Sequence, residues 1–293
     1  MSDSHPLAAG KSTLIDPVRL AACLGGMACR LDVDAVAECE STNALLMSRR
    51  DSLWSQKKLA NATSVSSGSV LVADRQTAGR GRRGRRWLSA QQRSEDSLTF
   101  SLLWRFDRGA DLSGLSLAIG VALTRAMAEF GATGLQLKWP NDLLCRTPAG
   151  LAKLGGILIE LASDRIGTAA VIGIGLNLRS PIEAVPDQAA AGLDSLQVGG
   201  FPERHRLLST LLTQLVIVLD AFSGQGFLPL RDEWERANAY AGQMVRLLDE
   251  NRPDIVGRCL GVDVDGALRV ETSAGVCRWL AGDVSLRAAT GEV

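Results

Sequence analysis

Six arginines fall between Arg75 and Arg86, with Gly79, Gly81 and Gly84 set among them. Guanidinium groups packed this closely repel one another unless anions compensate them, and glycine lets backbone N–H groups approach such an anion. The stretch reads as a phosphate site. Its spacing also satisfies the G-x-G-x-x-G dinucleotide fingerprint, but that motif opens a helix and is followed by an acidic ribose partner. Here the run leads through Arg85-Arg86-Trp87 toward another strand, and guanidiniums stand where a pyrophosphate would sit. A nucleic-acid patch is the stronger rival. Against it, the 293 residues include 32 basic and 32 acidic side chains, the formal net charge is zero, and no second basic stripe extends the footprint.

Other polar groups stand at the ends of apolar runs. Glu40-Ser41-Thr42-Asn43 precedes the apolar Ala44-Leu45-Leu46-Met47, which suits either a helix N-cap or a hydrogen-bonding site. Lys138-Trp139-Pro140-Asn141-Asp142 reads as a β-turn after a solvated lysine, or as charged and amide groups projecting from a strand end into a cleft. Lys153, Gly155 and Gly156 open one buried strand, and Gly173-Ile174-Gly175-Leu176-Asn177 closes another. Backbone-exposing glycines on adjacent strands suit a ligand lying flat against a sheet. The two histidines, His5 and His205, leave little from which to build a Ser-His-Asp, Cys-His or histidine-rich metal site. The six cysteines form no C-x-x-C pair and read as reduced. Chemistry must then run through arginine, lysine, carboxylate and amide groups.

The elements that would position these groups follow from periodicity. Ser69–Ala73 is a short buried strand delivering the chain to the arginine loop. Leu98, Phe100, Leu102 and Trp104 alternate as in a half-buried strand, and Leu115 to Phe130 is an amphipathic helix. Strands end at Lys138 and begin near Lys153 and Thr168; Pro181 to Gly200 is a surface loop, and Leu207–Phe222 and Leu228–Tyr240 are helices. From about Gly242 short strands alternate with turns, including Asp265-Gly266. No run approaches the ~20 apolar residues of a membrane span, and no signal peptide is evident, so the expectation is a cytoplasmic protein.

Taken together, Glu40–Asn43, Arg75–Arg85 with Trp87, Lys138–Asp142, Lys153–Glu160 and Gly173–Asn177 resemble, in order and spacing, the motifs of the bacterial biotin protein ligases; Trp279–Arg287 resembles the family's C-terminal barrel. The resemblance runs from about residue 36 to the end. It implies an α+β fold: a mixed-sheet catalytic domain of the biotin/lipoate ligase type over 36–240, a small SH3-like β-barrel over 241–293, and an N-terminal extension over 1–35. That extension carries too few helical repeats for the helix-turn-helix domain of some members, so a monofunctional ligase without DNA binding is expected.

The implied reaction activates biotin with ATP to biotinyl-5′-AMP and passes the biotinyl group to a lysine of a biotin carboxyl carrier protein, with Mg²⁺ and no protein-built metal site. Neutralisation and alignment of two anions need no histidine, which matches the composition. The resemblance implies that Ser41, Thr42, Asn43 and Gln76 bind the ureido end of biotin. Arg80, Gly81 and Arg82 would wrap its carboxylate and the adenylate phosphate, and Gly155 and Gly156 would let the strand lie against it. Lys153 would place a charge between carboxylate and α-phosphate, with Arg82 and Asp142 as further catalytic groups, Asp142 orienting the incoming amine or a magnesium ion. Arg83, Arg85, Trp87, Lys138, Asn141, Asn177 and Arg287 would contact the nucleotide. The expected partner is the carrier alone, with no DNA or membrane, for a monomer or homodimer. The rival readings are a lipoate-protein ligase and a non-enzymatic nucleic-acid-binding protein. Repulsion within the arginine loop predicts that it orders over a bound anion.

Overall fold

The structure is a computed structural model and describes residues 14–59, 68–87, 93–181, 189–196, 202–249, 252–280 and 284–288. Seven strands form one mixed sheet: β1 (Leu31–Cys39), β2 (Gly68–Gln76), β3 (Ser97–Asp107), β4 (Leu135–Lys138), β5 (Asp142–Thr147), β6 (Gly150–Ser163) and β7 (Gly167–Asn177). Their order is β1-β2-β3-β7-β6-β5-β4. β1 runs parallel to β2, and every other neighbouring pair is antiparallel.

The helices divide unequally between the two faces. α1 (Pro17–Leu24), α3 (Leu115–Ala128), α4 (Arg204–Gln225) and α5 (Arg231–Ala237) share the large core with Val70, Val72, Phe100, Leu102 and Ile172. The opposite face is covered by α2 (Thr42–Leu59), whose Leu46 packs with Val36, Leu71, Ala73, Leu103 and Val171. For this reason β3 is buried on both sides almost throughout, rather than half-buried as its alternation predicts.

α1 and the start of β1 pack on the main body, with Ile15, Leu20, Leu24 and Leu31 in the large core. Two sequence expectations need correction. The helix expected over Leu228–Tyr240 is a 3-10 turn at Leu228–Leu230 followed by the shorter α5. At 22 residues α4 is long and apolar enough to cross a bilayer; here Leu208, Leu211, Leu212, Leu215 and Leu219 are buried in the large core. Part of the expected loop over Pro181–Gly200 lies outside the described residues, and within it Ala191, Leu193 and Leu196 are buried.

The remaining strands, β8 (Met244–Asp249), β9 (Arg252–Val262), β10 (Leu268–Thr272), β11 (Gly275–Trp279) and β12 (Val284–Ala288), form an antiparallel sheet in the order β11-β10-β9-β8-β12. Among the described residues no ladder closes it from β11 to β12. Among the contacts that fasten this sheet to the main body, Trp139 Nε1 donates to Gly266 O at 3.1 Å in the β9–β10 turn, and Glu235 of α5 accepts the Val262 N–H at 2.5 Å.

Candidate active site

The arginine loop is a small hairpin that continues from β2. Thr77 and Ala78 donate to Cys39 O and Glu40 O, extending the β1 pairing, and Trp87 N–H returns to Gly79 O at 2.9 Å while Gly81 N–H reaches Arg85 O at 2.7 Å. A 3-10 turn at Arg82–Gly84 closes the hairpin, with Arg83 and Gly84 in the left-handed region at φ 57° and 67°. Gly79 serves the hairpin, since a Cβ there would meet Trp87 O at 2.5 Å. The charges find partners in the chain itself. Arg75 pairs with Glu38 at 2.9 Å and Arg80 with Glu160 at 3.0 Å, while Arg82 Nη1 donates to Asn141 Oδ1 at 3.3 Å. Arg85 at the tip is exposed.

Beside the hairpin lies the N-terminus of α2, and its polar residues divide their tasks. Ser41 starts the helix, accepting the Leu45 N–H on its carbonyl at 3.0 Å. Thr42 donates through both its N–H (2.7 Å) and its hydroxyl (3.1 Å) to Gln76 Oε1. The carboxamide of Asn43 is fully engaged: Oδ1 accepts from Ser101 Oγ at 2.6 Å, and Nδ2 faces Leu158 O at 3.2 Å and Glu160 Oε2 at 2.8 Å. It lies on Gly173, where a Cβ would sit 2.9 Å from Asn43 Cγ. The indole of Trp87 covers Gly175 in the same way, with Cζ2 at 2.5 Å from a Cβ position there. Its buried Nε1 has no hydrogen-bond partner among the described residues.

The lysines meet at one carboxylate. Lys153 Nζ is 2.6 Å from Asp142 Oδ1, and Lys138 Nζ is 3.4 Å from Oδ2. Asp142 opens β5 after a turn with a cis Trp139-Pro140 bond. α3 and β6 hold that turn: Ser116 Oγ donates to Pro140 O at 2.9 Å, and Asn141 Nδ2 donates to Ile157 O at 2.8 Å. Burial pushes the Asp142 carboxyl up, but Lys153 and Lys138 outweigh it and hold it below the ordinary carboxylate value. Lys138, only 4% exposed, is lowered by burial to about 8; Asp142 opposes the shift, and Arg287 of β12 together with Lys153 adds to it. The cluster is net cationic and half closed to water.

β6 aims Lys153 through a local irregularity. The β5 ladder skips from Leu143–Gly155 to Leu144–Lys153, leaving Leu154 as a bulge. Segment 189–191 then pairs with the lysine's backbone, Lys153 N–H donating to Ala189 O at 2.7 Å and Ala191 N–H to Lys153 O at 2.9 Å. Asn177 braces this segment, donating to Ala191 O at 3.1 Å.

The structure thus gathers most of the residues singled out in the sequence, and it assigns several of them protein partners. Asn43 and Asn177 are committed to internal hydrogen bonds. A Cβ at Gly155 would fall 2.5 Å from Gly175 O, so this glycine serves strand packing, whereas at Gly156 it would lie at an ordinary 3.5 Å from Lys153 Nζ. Ser101 and Glu160 join the site without having been selected. Ser101 reads in the sequence as a small partner in an alternating strand, and Glu160 as the end of a buried one.

Comparison with known proteins identifies the family. Residues 47–177 match the biotin/lipoate A/B protein ligase family, and residues 240–287 match the biotin protein ligase C-terminal domain. The biotin--[acetyl-CoA-carboxylase] ligase of Mycobacterium tuberculosis is 33% identical over 262 residues, 86% of this chain and 88% of that protein. The bifunctional ligase/repressor BirA of Escherichia coli is 36% identical over 231 residues, covering 77% and 68% of the two chains. Among solved structures, the Aquifex aeolicus biotin protein ligase in complex with biotin and ATP superposes with a TM-score of 0.68 at 29% identity, covering 88% of this chain and 99% of that one. The arginine hairpin beside a lysine–aspartate cluster thus stands within a recognised fold, and the chain belongs to the biotin/lipoate A/B protein ligase family, among its biotin protein ligases.

Proposed function

We propose that this chain joins biotin to a lysine of a biotin carboxyl carrier protein through a biotinyl-5′-AMP intermediate. The observation that carries the reading is the meeting of Lys153, Lys138 and Asp142 at the turn which Arg82 reaches through Asn141. In the first step a carboxylate oxygen of biotin attacks the α-phosphorus of ATP, and the bond to the departing pyrophosphate breaks. Two anions approach, so the barrier is chiefly electrostatic, and fixed cations aimed at the developing charge lower it. Lys153 is the point charge between the two; Arg80, Gly81 and Arg82 wrap the carboxylate and phosphate. Arg83, Arg85, Trp87, Lys138 and Arg287 line the nucleotide, with the indole of Trp87 seated on β7.

In the second step the neutral carrier amine attacks the mixed-anhydride carbonyl, AMP leaves, and the amine's proton goes to solvent. Asp142 holds both ammonium groups in place and opposes the fall at Lys138, which supports its role in orienting the site. Thr42 and Gln76, coupled by two hydrogen bonds, take the ureido ring with Ser41. Asn43 and Asn177 act one layer behind, the first fixing that pocket and the second fixing Lys153. Asn141 likewise acts by holding Arg82. Magnesium fits poorly as a protein-held ion: among the described residues no group of three His, Cys, Asp or Glu side chains could hold one, and both oxygens of Asp142 face ammonium groups. It is left to the triphosphate of ATP, and no step rests on it.

Incubation with biotin, MgATP and a carrier domain, followed by mass spectrometry of the carrier, tests the reading. A biotin-sized gain that falls by on the order of 10²- to 10³-fold in rate in Lys153→Ala is expected, the usual cost of removing one transition-state donor. Acceptance of lipoate or octanoate in place of biotin would move the chain to the lipoate branch of its family.

A further inference from the structure

Glu160 is a carboxylate to which both the arginine hairpin and the α2 terminus are tied. Its Oε2 accepts from Arg80 Nη2 at 3.0 Å and from Asn43 Nδ2 at 2.8 Å. Arg80 is 47% and Glu160 30% exposed, and ion pairs that open to water add little to stability. What the pair does supply is direction. Asn43 is 3% exposed and cannot rotate without losing Ser101, Leu158 O and Glu160 together, so it presents the carboxylate to the hairpin in one orientation. The hairpin is joined to the sheet also by backbone bonds at its base, by Arg75 to Glu38, by the Trp87 indole on Gly175 and by Arg82 to Asn141 at its tip. Without Glu160, Arg80 would lose this ion pair and add its charge to five neighbouring arginines.

We propose that Glu160 is a positioning residue for the arginine hairpin: it fixes the Arg80 side chain along β6 and thereby sets the hairpin's Gly81–Arg82 backbone over the pocket at the α2 terminus before biotin binds. This rests on the ligase reading above and goes beyond it, because that reading gives Glu160 no contact with either substrate. Preorganising a loop lowers the ordering cost that a ligand must otherwise meet. The effect therefore belongs to biotin capture and adenylate retention, not to the rate of the bound complex.

A double-mutant cycle tests this, using the full chain with biotin, MgATP and a carrier domain. E160Q keeps an acceptor for Asn43 and removes the charge. It is expected to raise the KM for biotin about threefold to tenfold, the coupling typical of neighbours in one hydrogen-bond network, with kcat changed less than about twofold in the KM-against-kcat split. Because Arg80 itself wraps the carboxylate and phosphate, R80A is expected to lower kcat as well, and adding E160Q to it should raise the KM for biotin no further. Release of preformed biotinyl-5′-AMP should quicken in E160Q by a factor similar to its rise in KM. Where E160Q lowers the melting temperature, E160D, which keeps the charge, gives the comparison. A wild-type KM in E160Q, or single effects that multiply in the double variant, overturns the proposal while leaving the ligase reading intact. Absence of biotin transfer by the wild-type chain removes the reading itself.

Discussion

Asn43 shows how a single side chain changes meaning between sequence and structure. As part of Glu40–Asn43 it offers a cap or a ligand donor; in the fold its two donors and its acceptor all serve the protein. Gly173 makes this possible, because the carboxamide occupies the space of a β7 side chain. Gly173→Ala must push the amide away or bend β7, since an added Cβ would lie 2.9 Å from Asn43 Cγ. Overpacking of this kind costs about 1–3 kcal/mol. The expected outcome is a lower melting temperature together with a biotin KM raised more than that for ATP, read by thermal unfolding and steady-state kinetics; equal changes in both would argue that Asn43 has no part in shaping the biotin end. The sequence marks Gly173 as a backbone-exposing residue, but the chain that fills its space starts in a helix more than a hundred residues earlier. Ser101 was hidden for a related reason: a hydroxyl in a buried strand reads as a small packing residue until Thr42 and Asn43 are seen above it.

Elements were legible where one period ran long enough to stand out. α3, α4, β6 and β7 have apolar patterns that survive any reading. β1 is not legible in the sequence, because LDVDAVAEC mixes charged residues into a strand with only Leu31, Ala35 and Val36 buried. β12 is five residues long, too short for periodicity to separate it from a tail. The joint between α1 and α4 was equally invisible. His205 Nε2 accepts the Asp16 N–H at 3.0 Å, so the ring's Nδ1 carries its proton and donates to Glu203 Oε1 at 2.7 Å. Glu203 also caps α4 through the Arg206 N–H. Burial opposes ionisation of this carboxyl, but the His205 hydrogen bond and the two backbone N–H groups outweigh it and bring it from 4.5 down to about 2. A folded value below the unfolded one means that the carboxylate stabilises the fold above pH 4.5 and that this contribution disappears as pH falls from 4.5 through about 2. Because Glu203 is 45% exposed, screening limits the effect to at most on the order of 1 kcal/mol. Glu203→Gln is expected to be less stable than wild type at pH 7 and to converge with it in acid unfolding curves below that window. Parallel curves across the whole range would assign the cap no electrostatic part.

At the scale of the whole molecule, charges from the two sheets meet beside Asp142. Lys138 and Asp142 belong to the large sheet, Arg287 to the small one, and the repulsion that Arg287 adds at Lys138 is felt only because the two sheets are docked. The sequence carries the small sheet as a change of pattern and Asp265-Gly266 as a turn; what it does not carry is that this turn is the foot standing on Trp139. Gly266 has φ +79°, and a Cβ there would lie 2.8 Å from Gly114 Cα and 2.9 Å from Leu117 Cδ1. A side chain at this position is strained in its backbone and also wedged against α3 and the residue before it. Gly266→Ala is therefore expected to lift the small sheet from the large one, at a cost of about 1–3 kcal/mol. Trp139→Phe, which loses both the 3.1 Å bond to Gly266 O and part of a fully buried indole, should cost more than the ~1 kcal/mol of the hydrogen bond alone. If docking is what brings Arg287 to the nucleotide, both variants raise the KM for ATP more than that for biotin, Gly266→Ala the more strongly, and Arg287→Ala adds little once Gly266→Ala is present. Titration of ATP and biotin by steady-state kinetics, with thermal unfolding alongside, reads all three. An ATP KM that stays put while the melting temperature falls would show that the small sheet steadies the fold without serving the nucleotide.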